Sequence, residues 1–225
     1  ICFVFVSISF FYFKSNKFWA FKQMVEARKF LYKLKNITFY KMLGTGAEGG
    51  FIKPDFGVYS LLCVWNNKKS ALKFLNTSDH ANEISRKAEK RVDYLMTPIM
   101  SNGLWDKINP FQINEKVVTN SENKIGVITR GKIKLSKQID FWANVPAAAK
   151  SIRNADGVEF YKGIGELPFL TQATFSVWKD FSSITDFAYK NKAHSEIIKK
   201  TKERGWYSED LFARFKIVSQ KTKVF

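Results

Sequence analysis

Shifted by 113 places, the chain matches itself without a gap at five positions. Val64, Trp65, Phe74, Glu83 and Ile84 meet Val177, Trp178, Phe187, Glu196 and Ile197. Other stretches echo each other: ITFYKMLG at 37–44 and VEFYKGIG at 158–165, LCVW at 62–65 and FSVW at 175–178, Phe18-Trp19-Ala20 and Phe141-Trp142-Ala143. A chain built this way has two similar halves. Residues 1–111 read as the first, the polar stretch 112–124 as a linker, and 125–225 as the second.

Within each half the apolar patterning reads strand, helix, strand, strand, helix, and the second half adds a clear final strand at 211–218. Strands are expected at 2–13, 37–43, 58–65 and 125–135, with helices at 17–34 and 68–96. That order is ferredoxin-like. Such a half has an antiparallel sheet with helices on one face, and its other apolar face needs a cover. Two halves can cover each other, so the expected class is α+β: two ferredoxin-like repeats whose antiparallel sheets form an α+β barrel within one chain. The glycine-rich GTGAEGG at 44–50 joins two strands and lacks the ending of a phosphate-binding loop. It reads as a turn excursion or as a lid over a cavity mouth.

The stretch 172–215 carries the candidate chemistry. A helix is expected from a cap at Asp180 or the serines after it to about Arg204, where Gly205 stops it. Ile184, Phe187, Ala188, His194, Ile197 and Ile198 share its apolar stripe. An inward His194 has two readings: a core imidazole bonded to backbone, or the axial ligand of a haem iron. The other histidine, His80, aligns with Ala193 rather than His194 and lies off its helix's stripe, which points to solvent. One inward histidine is too few for a non-haem iron or catalytic zinc site. Haem needs one only, because the porphyrin supplies four nitrogens.

The formal charge is +17. It favours anionic partners, but no recognition-helix, zinc-finger or RNA-binding signature accompanies it, so nucleic acid is not expected. Cys2 and Cys63 sit in apolar runs as buried thiols, in keeping with a cytoplasmic protein. The apolar opening ICFVFVSISFFYF is read as a buried strand, being too short to span a bilayer and without a small-residue cleavage site.

Several long stretches resemble the spheroidene monooxygenase family of haem-containing carotenoid oxygenases: FYKMLGTGAEGGFIKPDFGVYSLLCVW, GLWDKINPF, FWANVPAAAKSI, GIGELPFLTQATFSVW, FAYKNKAH and GWYSEDLFARF. FAYKNKAH also resembles the haem-ligand helix of the wider dimeric α+β barrel group. The resemblance implies a haem b monooxygenase with His194 as the iron ligand. It implies a lipophilic, carotenoid substrate, dioxygen, an electron donor such as a ferredoxin, and a homo-oligomer. Under it, Phe175, Trp178 and Phe187 line the haem slot or simply fill a core, and Ile197 and Ile198 pack nearby. Arg130 steadies a propionate or bound oxygen as a catalytic cation, or lies at the surface. Lys41 and Lys162 are further propionate candidates, or solvated. A haem carrier without turnover, a cofactor-free barrel and a haem dehydratase of the same barrel group are the alternatives. A membrane-dissolved substrate and a basic protein together imply peripheral contact with the inner membrane face, at about 1 kcal/mol per basic residue near an anionic surface.

Overall fold

The computed structural model describes residues 4–47, 53–113, 123–166, 170–190, 196, 199–201 and 203–225. The first half runs β1 (Phe5–Tyr12), α1 (Lys17–Glu26), α2 (Arg28–Leu31), β2 (Ile37–Gly46), β3 (Pro54–Trp65), α3 (Lys68–Thr77), α4 (Asp79–Lys87) and β4 (Lys90–Gly103). The second runs β5 (Ile125–Ile133), a 3-10 turn (Leu135–Lys137), α5 (Gln138–Arg153), β6 (Val158–Gly165), β7 (Thr171–Trp178), α6 (Phe181–Lys190) and β8 (Tyr207–Val224). The strands form one closed antiparallel barrel in the order β1-β3-β2-β6-β7-β5-β8-β4. Read by halves, that is 4-1-3-2 twice, the ferredoxin-like order.

The halves are joined by two unequal seams. The β4–β8 seam runs from the Lys90–Val224 pair to the Gly103–Leu211 pair. The β2–β6 seam consists of Gly44–Gly165 and Thr45–Ile164. Side-chain ion pairs reinforce the shorter one: Lys41 binds Glu166 at 2.7 Å and also Asp106, and Lys162 binds Asp55 at 2.8 Å. Lys41 and Lys162 therefore tie strands at the seam.

The first half has its own fourth strand, which the sequence reading missed. Residues 88–96 continue no helix: Ser78 caps α4, Lys87 ends it, and RVDYLM enters the barrel as β4. The run is buried on nearly every residue because both faces of the strand are covered, yet charged Arg91 and Asp93 alternate with Val92 and Tyr94, so its polarity does not read as a buried strand. The expected linker lies largely outside the described residues, as does the centre of the glycine-rich loop. Ala47 N donates to Lys53 O across the base of that loop at 2.8 Å.

Side chains alternate across each strand and split the core into layers. Inside the barrel lie Val6, Ile8, Phe10, Leu62, Val64, Tyr94, Met96, Ile128, Phe175 and Phe215, all buried. Phe10, Tyr94, Phe160 and Phe175 meet there with ring centroids 5.1–6.4 Å apart. The barrel interior is thus packed core. Outside it, the first half packs α1–α4 on a second apolar layer that includes Phe11, Leu31, Met42, Tyr59, Leu61, Leu75 and Ile84.

His80 is in that second layer, not in solvent. It is 9% exposed, its ring stacks on Phe30 at 4.7 Å, and Nε2 is buried without a hydrogen-bond partner. The neighbouring helix α2, which a one-helix stripe analysis ignores, covers it. Burial lowers its pKa from 6.5, with Glu83 acting weakly in the opposite sense. The unfolded chain then takes up a proton before the folded one does. Stability is fully present above about pH 6.5 and declines as the pH falls toward the lowered folded value. His80→Leu should flatten that decline, as read by denaturant unfolding at pH 7 and pH 5.

Candidate functional site

The two halves differ in how the layer between sheet and helices is filled. Equivalent strands share one register: Ser7, Ser9 and Phe11 face Cys63, Leu61 and Tyr59, as Val127, Thr129 and Gly131 face Ser176, Thr174 and Gln172. In the first half the outward-facing positions hold Phe11, Met42, Tyr59, Leu61 and Cys63, all buried. Their counterparts are Gly131, Gly163, Gln172, Thr174 and Ser176. On the helix side, buried Leu75 has Ala188 as its counterpart at the 113-residue shift. Large apolar groups give way to small or polar ones at all of these places but Cys63, while Ser7 and Ser9 change the other way, to Val127 and Thr129.

The result is a cavity of about 350 Å³ between the second half's sheet and helices α5 and α6. That volume falls in the range of small-molecule pockets, about 300–1,000 Å³. Val127, Val145, Ala149, Ile152, Ile184 and Phe212 are among its apolar wall. One landmark survives from the filled half, and a second, the indole hydrogen bond, changes partner. Trp178 lies against Phe187 at 5.0 Å and 39°, as Trp65 lies against Phe74 at 5.0 Å and 42°. Trp178 Nε1 donates to Ser176 Oγ, and Trp65 Nε1 to Ser7 Oγ, both at 2.9 Å.

Apart from Arg130, the polar groups of the wall were not among the sequence candidates. Tyr207 packs over Gly131, where an added Cβ would come within 2.4 Å of its ring. Burial pushes the Tyr207 phenol up to about 12, against a hydrogen bond from Gln172 that lowers it, so it stays protonated at neutral pH. Gln172 Oε1 is buried without a hydrogen-bond partner. Arg214 also lines the cavity, its guanidinium 5.1 Å from the Phe181 ring centre and 5.3 Å from that of Phe212. Gly131→Ala should cost about 1–3 kcal/mol by overpacking, since only movement of the Tyr207 ring relieves the contact. Denaturant unfolding measures it.

Of the sequence candidates, Trp178 and Phe187 line the cavity. Phe175 does not. It sits three residues before Trp178 on one strand, so the two point to opposite faces, and Phe175 belongs to the barrel interior. Arg130 borders the cavity, but its guanidinium is committed elsewhere. It is 2% exposed, pairs with Glu209, reaches Leu104 O at 3.4 Å and lies 5.4 Å from the Trp105 ring centre. Glu209 also accepts from Asp106 N at 3.1 Å and Lys107 N at 2.7 Å, where both residues have positive φ. Arg130 therefore fastens the 104–108 loop over the barrel end, while its Nε is buried without a hydrogen-bond partner. His194, Ile197 and Ile198 lie outside the described residues. Ala188 and Thr201, on either side of them in sequence, both line the cavity.

Helix α6 starts as expected. Asp180 Oδ1 accepts from Ser183 N at 2.8 Å, and these bonds with Ser182 and Ser183 hold its carboxyl down to about 2. The cap is present above the ordinary carboxylate range, near pH 3.9, and is lost as the pH falls toward 2. Among the described residues no group of three metal-ligating side chains is assembled.

Fold and cavity together define a class: a single-chain α+β barrel of two ferredoxin-like halves, one filled and one hollow. The crystal structure of an aldoxime dehydratase shares this fold at a TM-score of 0.62 and 11% identity, over 97% of this chain and 83% of that one. A second aldoxime dehydratase, in complex with butyraldoxime, matches at 0.60 and 10% identity, over 97% and 81%. No protein-family profile matches. The spheroidene monooxygenase of Cereibacter sphaeroides is 34% identical over 218 residues, which are 95% of this chain and 66% of that protein. That of Rhodobacter capsulatus is 30% identical over 204 residues, 89% of this chain and 83% of that protein. The chain belongs to the spheroidene monooxygenase family.

Proposed function

We propose that the chain is a haem-dependent monooxygenase acting on a lipophilic, carotenoid-type substrate with dioxygen and an external electron donor such as a ferredoxin. The family supports the reaction class. The observation that carries the site is the emptied layer of the second half, facing its filled twin in the first. At the 113-residue shift, His194 corresponds to Ala81, which is fully buried among the apolar residues of that filled layer. The half that loses apolar volume gains an imidazole at the matching place.

The residues present fit a porphyrin. The wall is largely apolar and carries the Trp178 and Phe187 rings, and Arg214 offers a cation suited to a carboxylate. His194 would ligate the iron, Ile184, Ile197 and Ile198 would pack beside the macrocycle, and Arg214 would pair with a propionate. Haem bound there supplies the activation of dioxygen. The chain's own contribution is to exclude water with the apolar wall and to hold a proton at Tyr207 Oη, where burial keeps the phenol neutral. Gln172 steadies that phenol and leaves Oε1 to accept from a ligand.

The test is turnover by the haem-loaded chain with a linear carotenoid, dioxygen and reduced ferredoxin. Substrate-dependent oxygen uptake and a product heavier by one oxygen atom are expected, and both vanish in His194→Ala. Haem binding without uptake points to a carrier; full activity in His194→Ala removes the assigned ligand.

A further inference from the structure

The chain carries an outward face whose chemistry is reversed. Along α1 and α2 the small or polar Ala20, Gln23 and Ala27, together with Leu31, are buried against the first half. The large apolar residues point away from it: Phe18 is 73% exposed, Phe21 53%, Val25 69% and Tyr32 67%. At about 100° per residue, Phe18, Phe21, Val25 and Tyr32 share one side of the helical segment. Seven basic residues surround them, all exposed: Lys14, Lys17, Lys22, Arg28, Lys29, Lys33 and Lys35, against the single acid Glu26. Two of the cations already lie over these rings, Lys22 at 4.9 Å from Phe18 and Lys33 at 5.9 Å from Tyr32.

We propose that this α1–α2 face docks the protein on an anionic lipid bilayer, with Phe18, Phe21, Val25 and Tyr32 entering the headgroup boundary and the lysines and arginine meeting the lipid charges. Exposed aromatic and aliphatic groups are unfavourable in water and favourable at the acyl boundary, and an apolar stripe flanked by cations suits that interface. Charge decides among occupants. A second copy of this face would set seven cations against seven. An anionic surface relieves the same charges. No described helix is long and apolar enough to cross a membrane. This contact stands apart from whatever the cavity binds, since the face belongs to the other half.

The test is co-sedimentation of the full chain with vesicles of phosphatidylcholine alone and of phosphatidylcholine with phosphatidylglycerol. Binding is expected only to the anionic vesicles, weakening as salt rises. Phe18→Ser/Phe21→Ser and Lys22→Glu/Lys29→Glu should each weaken it by at least about tenfold. Both pairs are exposed, and an unchanged circular dichroism spectrum verifies the fold. Leu135→Ser/Ile139→Ser, which alters exposed apolar residues of the other half, should bind as the parent does. Equal binding to neutral vesicles overturns the proposal. So does full binding by Phe18→Ser/Phe21→Ser, loss confined to Leu135→Ser/Ile139→Ser, or a dimer in solution that Phe18→Ser/Phe21→Ser dissolves.

Discussion

Replacing Asp93 by leucine is expected to destabilise the protein by about 3–5 kcal/mol, the range for stranding one partner of a buried ion pair. Asp93 accepts from Arg91 Nε at 2.7 Å and Ser9 Oγ at 2.6 Å, and Arg91 is fully buried. Arg91 also reaches Ser85 Oγ on α4 at 3.4 Å and lies over the Phe11 ring, so the pair locks helix to sheet. Removing the carboxylate leaves a guanidinium that can neither deprotonate nor reach water. Arg91→Leu/Asp93→Leu should recover much of the loss, because no charge is then stranded. Denaturant unfolding of the four proteins gives the coupling directly. Additive losses would mean the pair does not act as a unit.

The second large effect has opposite signs on stability and on binding. Thr174→Leu/Ala188→Leu gives the hollow half the side chains that Leu61 and Leu75 give the filled one. Cavity filling of this kind commonly adds about 0.5–2 kcal/mol. It should raise the unfolding midpoint while abolishing uptake of any flat ligand. A natural sequence that leaves that stability unused at Gly131, Gly163, Gln172, Thr174, Ser176 and Ala188 together is retaining space. A single such residue would be weak support, since one small side chain is often absorbed by repacking.

The barrel was legible because its cause is periodic: a repeated strand-helix pattern with bare apolar faces has few ways to close. The hollow half was legible too, in the same 113-residue shift. Tyr59 against Gln172, Leu61 against Thr174 and Leu75 against Ala188 are differences that similarity-seeking passes over, since attention falls on matches such as Trp65 and Trp178. Four features escaped for physical reasons. Strand β4 carries charged Arg91 and Asp93 on a covered face, so its residues do not read as a buried strand. Phe175 and Trp178 separate onto opposite faces because strands alternate every residue, a parity that listing nearby aromatics ignores. His80 and Arg130 owe their burial to α2 and to the 104–108 loop, partners distant in sequence that no local stripe reveals. Tyr207 and Arg214 were hidden in the aromatic and basic pattern of β8, where Phe212 and Arg214 face the hollow layer by alternation and Tyr207 joins them only across the register shift at Lys132–Ile133.

The hollow layer and His194 are tested together by following the visible absorption of the chain as haem is added. Parallel titrations use Thr174→Leu/Ala188→Leu, His194→Ala and His80→Leu. The parent and His80→Leu should saturate at one haem per chain with the same Soret band. The filled variant should remain folded and colourless, and His194→Ala should lose the parent's band. A filled variant that binds haem as the parent does, or a parent band that survives His194→Ala, would contradict the assignment of the site.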